Sequence, residues 1–327
     1  MKPTPETRRA ARAPITRIHS GMMLHARHTA ARLCAALVGV LTLAMLPTSC
    51  GSKAPEQQPL RVVVSIAPLA GLVAPILPEG SSIRVLVPAN RTAHGYAPKP
   101  QDLAEIARAD LVVLVGLGLD SRIESTARRS GAAVVSMADV LGIRGENHDT
   151  PHHDHDDHQH GGADPHLWLD PVLAARFIRD LPAHLPEPIR AHLHALDLTV
   201  DRINDVDKAY RERLAPFAGR TIVAHHNSMS RLAERYGLRV AGVLRSSELL
   251  EPSPEDVAKI RRVIEKEGIG AIFVEPQFSG GIPQRIADSL GVRLVVFDPL
   301  GDGNWFTLMQ SNLDHLVEGL ELGDPEP

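Results

Sequence analysis

Four residues combine metal-ligating side chains with positions that would let them meet: His94, His166, His226 and Asp298. Each follows or lies near the end of a strand-like run, where open α/β sheets gather their ligands. His94 stands in the turn-rich stretch Thr92-Ala93-His94-Gly95-Tyr96-Ala97-Pro98. His166 is framed by two Asp-Pro pairs in Asp164-Pro165-His166-Leu167-Trp168-Leu169-Asp170-Pro171, which would set the entry to a following helix. His226 ends Thr221-Ile222-Val223-Ala224-His225-His226; because side chains alternate along a strand, only one of His225 and His226 faces a given site. Asp298 ends Val295-Val296-Phe297-Asp298-Pro299. Taken singly, each has an ordinary structural use: a loop histidine at 94, a structural histidine or a ligand with equal claim at 166, a helix cap at 298. Taken together, three imidazoles and one carboxylate, two from each half of the chain, suit a four-coordinate zinc ion enclosed by protein. The carboxylate leaves such a site with one net positive charge, which eases its burial. Ligation needs neutral imidazole, so affinity is expected to fall as pH drops through the histidine range.

A second metal-binding feature is compositional. The chain has 17 histidines, and six of them, His148, His152, His153, His155, His158 and His160, fall with four aspartates in the stretch 148–160. Almost no apolar content is present there, so a mobile loop is expected, able to hold metal weakly and raise its local concentration. The plain alternative is a solvated insertion of low complexity.

Composition narrows the function further. Aromatic residues make up only 3% of the chain and net charge is -4, so neither a site of stacked rings nor the basic stripe of a nucleic-acid binder is expected. Basic residues Arg27 and Arg32 precede an apolar run over 34–46 that ends at Pro47-Thr48-Ser49-Cys50. This run is too short to span a bilayer and is expected to be an export signal over 1–49, with 1–21 a possible upstream extension, and with Cys50 as the lipidated first residue of the exported protein. The alternative is an ordinary secretory signal. Of the two cysteines, Cys34 would leave with the signal, which excludes an internal disulfide and a thiolate cage.

The elements that must position these residues read as α/β. After a tether over 50–59, apolar strand-like runs at 60–66, 83–87, 111–115 and 133–136 alternate with helical stretches at 68–76 and 100–109. A second series places strands at 221–224, 239–243, 271–274 and 293–297, with helices at 228–236, 254–267 and 282–290. Two lobes, 60–185 and 217–327, are therefore expected, each long enough for a core of its own, with a mostly parallel sheet flanked by helices. Ile189, Leu193, Leu196, Val200 and Ile203 recur at helical spacing between them, which predicts one long rigid helix over 186–216 and only small lobe movements. A break near Leu198-Thr199 is the alternative.

With these motifs the chain resembles the solute-binding protein 9 family, the metal-binding proteins of zinc and manganese ABC importers. The likeness runs from about Leu60 to the C-terminus, and rests on His94-Gly95-Tyr96 with Pro98 and Pro100, the Asp164 to Pro171 motif, His226 followed by Tyr236-Gly237-Leu238, Phe273-Val274-Glu275-Pro276-Gln277-Phe278, and Asp298-Pro299-Leu300. It implies two α/β lobes bridged by a long helix, metal ligands at His94, His166, His226 and Asp298, and a monomeric, membrane-anchored periplasmic or cell-surface protein that passes its ion to an importer's permease. Histidine at the third ligand position and a His/Asp-rich loop resemble the zinc-type members; manganese-type members tend to have glutamate there. Ala97, where glutamate is common, and Asn227-Ser228, where Asp-Ala is frequent, depart from the pattern and put outer contacts in doubt. Glu275 is a weaker candidate for an oxygen ligand. The rival readings are a zinc-dependent hydrolase, which would need an open coordination position and a base, and an adhesin-like or buffering protein.

Overall fold

Short β-branched runs bounded by polar turns pair into two parallel four-stranded sheets in the computed structural model, which describes residues 58–89, 91–145, 163–245, 252–278 and 281–323. The export segment, Cys50 and the histidine-rich stretch 148–160 lie outside these residues. In chain order come β1 (Arg61–Val64), α1 (Ala67–Val73), β2 (Ser82–Val85), α2 (Pro100–Arg108), β3 (Leu111–Leu114), α3 (Ser121–Ala127), β4 (Ala133–Ser136) and α4 (Met137–Leu141). Helices α5 (Pro171–Asp180), α6 (Glu187–Arg190) and α7 (Leu196–Leu214) lead to β5 (Thr221–Ala224), α8 (Ser230–Arg235), β6 (Arg239–Val243), α9 (Pro254–Glu267), β7 (Ala271–Val274), α10 (Gly281–Leu290), β8 (Arg293–Val296) and α11 (Trp305–Glu321). All eight strands fall where the sequence predicts them, β4 to β7 with the predicted ends.

The sheets have the same order, β2-β1-β3-β4 and β6-β5-β7-β8. In each, the chain leaves the first strand to one side and then crosses to the other, which opens a crevice at the C-terminal ends of β1 and β3, and of β5 and β7. Register brings specific residues there. Ala224 pairs with Phe273, so two residues further on His226 and Glu275 leave neighbouring strands on the same face.

The expected long helix between the sheets is present as α7, with two corrections to the connection. The single helix expected over 186–216 is interrupted: one turn, α6, ends at Arg190, and α7 begins only at Leu196. Neither proline nor glycine causes the break. His194 N donates to Ile76 O at 3.0 Å and Ala195 adopts φ 51°; a hydrogen bond to a distant loop thus overrides helical propensity. The break also lies upstream of Leu198-Thr199. Nor do the two halves keep separate main cores. Val62, Leu111, Phe177, Tyr210, Phe273 and Trp305 belong to one buried cluster that includes both sheets, and a smaller cluster around Ile260 and Ile264 lies on the other face of the second sheet. A shared apolar interface of this kind opposes large lobe motion.

Helix α11 has no counterpart among the predicted elements. Trp305, Leu308, Met309, Leu313, Leu316 and Leu320 are buried along it, and Asn304 caps it by accepting from Thr307 N at 3.1 Å. It crosses onto the first half, where α1 approaches so closely that a Cβ on Gly71 would overlap the Trp305 backbone nitrogen and lie 2.6 Å from Gly303 O. Gly71→Ala is expected to cost about 1–3 kcal/mol by overpacking, read as a lower urea midpoint; an unchanged midpoint would mean that α11 slides without penalty.

Candidate metal centre

Each site histidine is set by local structure. His94 follows β2 in a turn eased by Gly95 at φ 70°. Its loop is clamped by the buried Asp102 of α2, whose Oδ2 accepts from Tyr96 OH at 2.8 Å and from Lys99 N at 2.9 Å. Burial and the Asp102 hydrogen bond push the Tyr96 phenol up to about 12. His166 opens a short 3-10 turn over Leu167–Leu169. The turn is held at its far end by buried Asp170, which caps α5 by accepting from Val172 N at 2.9 Å and receives Arg235 Nε and Nη2 of α8 at 2.9 and 2.6 Å. Arg231, four residues earlier on α8, donates to Asp164 O at 2.8 Å. The helix after His226 therefore grips both ends of the segment that carries His166. Trp168 Nε1 donates to Pro299 O at 2.6 Å, and Trp305 Nε1 to Trp168 O at 2.8 Å, which ties the same segment to the loop after β8.

The structure brings three of the four predicted ligands together. The ring centroids of His94, His166 and His226 form a near-equilateral triangle, 5.6, 5.6 and 5.5 Å apart, and one ligating nitrogen from each lies within 4.8 Å of the others. Asp298 is not part of this group. Its Oδ1 accepts from Gln277 Nε2 at 2.8 Å and from Leu300 N at 2.9 Å. Glu275 also stands outside the group, behind His226. The cavity beside the rings, lined by His94, His166, Glu275 and Gln277 among others, measures about 10 Å³, room for an ion or one water and far below the several hundred Å³ of an organic ligand site.

Two carboxylates orient two of the rings. Asp164 Oδ1 lies 2.7 Å from His166 Nδ1 and Glu275 Oε1 lies 3.1 Å from His226 Nδ1, while Ser228 Oγ donates to the same Glu275 oxygen. Burial is the largest influence and raises both carboxyls, but the imidazole hydrogen bonds together with the neighbouring charges and donors outweigh it and hold Asp164 and Glu275 below the usual carboxylate range. An ionised carboxylate only accepts, so Nδ1 carries the proton and Nε2 keeps its lone pair for a cation. The flanking aspartate was visible in the sequence as part of the Asp-Pro frame. Glu275 as a partner of His226 was not, because it depends on strand register.

Burial, then the neighbouring His166 and His226 rings, push His94 down to about 3. Proton competition at this ring therefore sets in far below the ordinary histidine range from which a loss of affinity was expected. Burial, then Arg245, lowers His225 to about 4; its ring sits against Phe278 at 5.1 Å. Both values lie below the unfolded value of about 6.5, so the unfolded chain takes up protons first and stability declines as pH falls from about 6.5 toward 4 and 3. The urea midpoint of the metal-stripped protein is expected to drop between pH 7.5 and 5.5, above the carboxylate range; an equal midpoint would mean that neither ring is desolvated.

Comparison with known proteins fits this geometry. The family model described as "Zinc-uptake complex component A periplasmic" matches residues 62–319. The zinc-binding lipoprotein AdcA of Streptococcus pneumoniae is 23% identical over 300 residues, 86% of this chain and 60% of that protein, so the chain spans about three fifths of that relative's length. The high-affinity zinc uptake system protein ZnuA of Yersinia pestis is 27% identical over 266 residues, 74% of this chain and 83% of that one. A crystal structure of ZnuA superposes with a TM-score of 0.67 at 24% identity, covering 80% of this chain and 100% of that one, which supports the two-sheet fold. With more than half its length matched, the chain belongs to the family of the periplasmic component A of zinc-uptake complexes.

Proposed function

We propose that this protein captures a divalent transition metal outside the cytoplasm, zinc before manganese, and delivers it to the membrane permease of an ABC importer. The observation that carries the reading is the triangle of imidazoles with an anionic partner behind two of them. Three nitrogen donors favour zinc over the oxygen-rich shells that suit manganese. Asp164 and Glu275 add two negative charges close behind the rings, which balance a buried divalent ion without occupying its coordination sphere. The relatives named for zinc binding and zinc uptake support the same ion.

In this reading His94, His166 and His226 bind the ion first, with Asp298 as the fourth ligand once its carboxylate leaves Gln277. The domain division is 60–185 and 217–327, with 186–216 as the connection. No helix among the described residues is long and apolar enough to cross a membrane, and membrane attachment is assigned to lipid on Cys50. The histidines between 148 and 160 act as weak capture sites that feed the main one. The protein works as a monomer. The ion-sized cavity supports capture over hydrolysis, which needs room for a substrate beside the metal.

The test is elemental. Protein purified without added metal is expected to carry zinc in near-equimolar amount and, once stripped, to take up zinc in preference to manganese from an equimolar mixture. A stripped protein that retains neither ion would remove the reading, and one that retains manganese preferentially would reverse the choice of cargo.

A further inference from the structure

Asp298 is fixed at its backbone, while its side chain is held only by hydrogen bonds that a cation could displace. One buried amide, Asn312 of α11, accepts from Asp298 N at 2.9 Å and donates to Asp298 O at 2.7 Å. The main chain at this position is therefore pinned from both sides, and the carboxylate moves only by rotation about its own bonds. That carboxylate is occupied through Oδ1 by Gln277 Nε2 at 2.8 Å, together with Leu300 N. Gln277 follows β7, in the loop just after Glu275, and its Nε2 also reaches Ala89 O, in the loop after β2, at 3.4 Å. The same side chain lines the ion-sized cavity with His94 and His166. Its Oε1 is buried and accepts no hydrogen bond among the described residues.

We propose that Gln277 gates the fourth coordination position: its amide holds the Asp298 carboxylate away from the three histidines until a cation takes that carboxylate over. This inference rests on the metal-capture reading above and adds a residue that sets affinity and selectivity. A hydrogen bond to an ionised acceptor is among the stronger ones, and the ion must displace it before the shell closes. The penalty falls unequally on different metals. An ion that gains most of its binding from imidazole remains held by the three rings with the gate shut. One that depends on oxygen donors, as manganese does, gains little until Asp298 swings in. Gln277 thus favours zinc over manganese without touching either ion in the loaded state.

The experiment compares metal-stripped wild type, Gln277→Ala, Asp298→Asn and the double variant, with Zn²⁺ and Mn²⁺ titrated separately against a chelating dye. Gln277→Ala is expected to tighten manganese binding by about tenfold, the worth of one such hydrogen bond, and zinc binding by less. In the Asp298→Asn background the same substitution is expected to change neither affinity, since the carboxylate that Gln277 withholds from the ion is then absent. A merely structural role for Gln277 predicts weaker binding instead, so weaker or unchanged affinity in Gln277→Ala overturns the gate. Gln277→Met, which keeps the length without the amide, serves if the alanine variant does not fold. A second readout follows the gate directly: the Gln277 side-chain amide protons of the wild type, seen by NMR, are expected to lose protection when zinc is added, and unaltered protection would overturn the proposal. Failure of wild type to bind either metal would sink the parent reading; intact binding with no gain in Gln277→Ala would sink only the gate.

Discussion

Zinc affinity is expected to fall by roughly two to three orders of magnitude when His226 is replaced by alanine. Protein zinc sites with four ligands hold their ion by about 10–16 kcal/mol, so one imidazole carries about 2.5–4 kcal/mol, roughly a hundred- to a thousandfold in affinity. His226 is the sharpest test of the three because the register between β5 and β7 aims it and Glu275 orients its ring. Its loss also strips the buried Glu275 of one of its two side-chain partners among the described residues, leaving Ser228, and the metal-free protein should lose stability as well. Competition with a chelating dye measures the first effect and urea denaturation the second. Affinity within a factor of a few of wild type would place the ion somewhere other than the imidazole triangle.

The second large effect is expected from Asp170→Ala, remote from the ion itself. Asp170 caps α5 through Oδ1 and binds Arg235 through Oδ2, and its side chain is 1% exposed against 34% for Arg235. Losing the cap costs about 1 kcal/mol. Losing a half-buried ion pair adds about 2 kcal/mol, below the fully buried figure because Arg235 regains solvent. A total near 3 kcal/mol lowers the melting temperature of a chain this size by about 6–10 °C. Calorimetry in the presence of chelator reads it, and a shift under about 2 °C would show that α8 does not hold the His166 segment in place.

Why some of this was legible in the sequence and some not follows from how local each feature is. The strands were readable because each is a short β-branched run between turn residues, and three site histidines because strand ends in such a fold converge. His166 was readable through its Asp-Pro frame, although the ring's own partner, Asp164, looked there like a helix signal. The break before α7 escaped because His194 finds its acceptor, Ile76 O, more than a hundred residues away in the chain. Helix α11 carries an apolar face at helical spacing and was within reach of the same argument that located α9. Asp298 has the right type at the right strand end, but its contact with Gln277 joins two loops whose proximity only the order of β7 and β8 creates. The grip of Arg231 and Arg235 on Asp164 and Asp170 is of the same kind: four residues apart on one helix, they look like ordinary surface charge until α8 is laid against the opposite half.

Trp168 and Trp305 are the only two tryptophans in the chain; each is at most 1% exposed, and the ring of Trp168 lies 5.3 Å from that of His166. All indole emission from the molecule therefore issues from the seam beside the imidazoles. Arrival of a cation there alters the field on the nearer chromophore, so intrinsic fluorescence is a label-free gauge of loading, fast enough for stopped-flow work and silent to events at the far edges of either sheet.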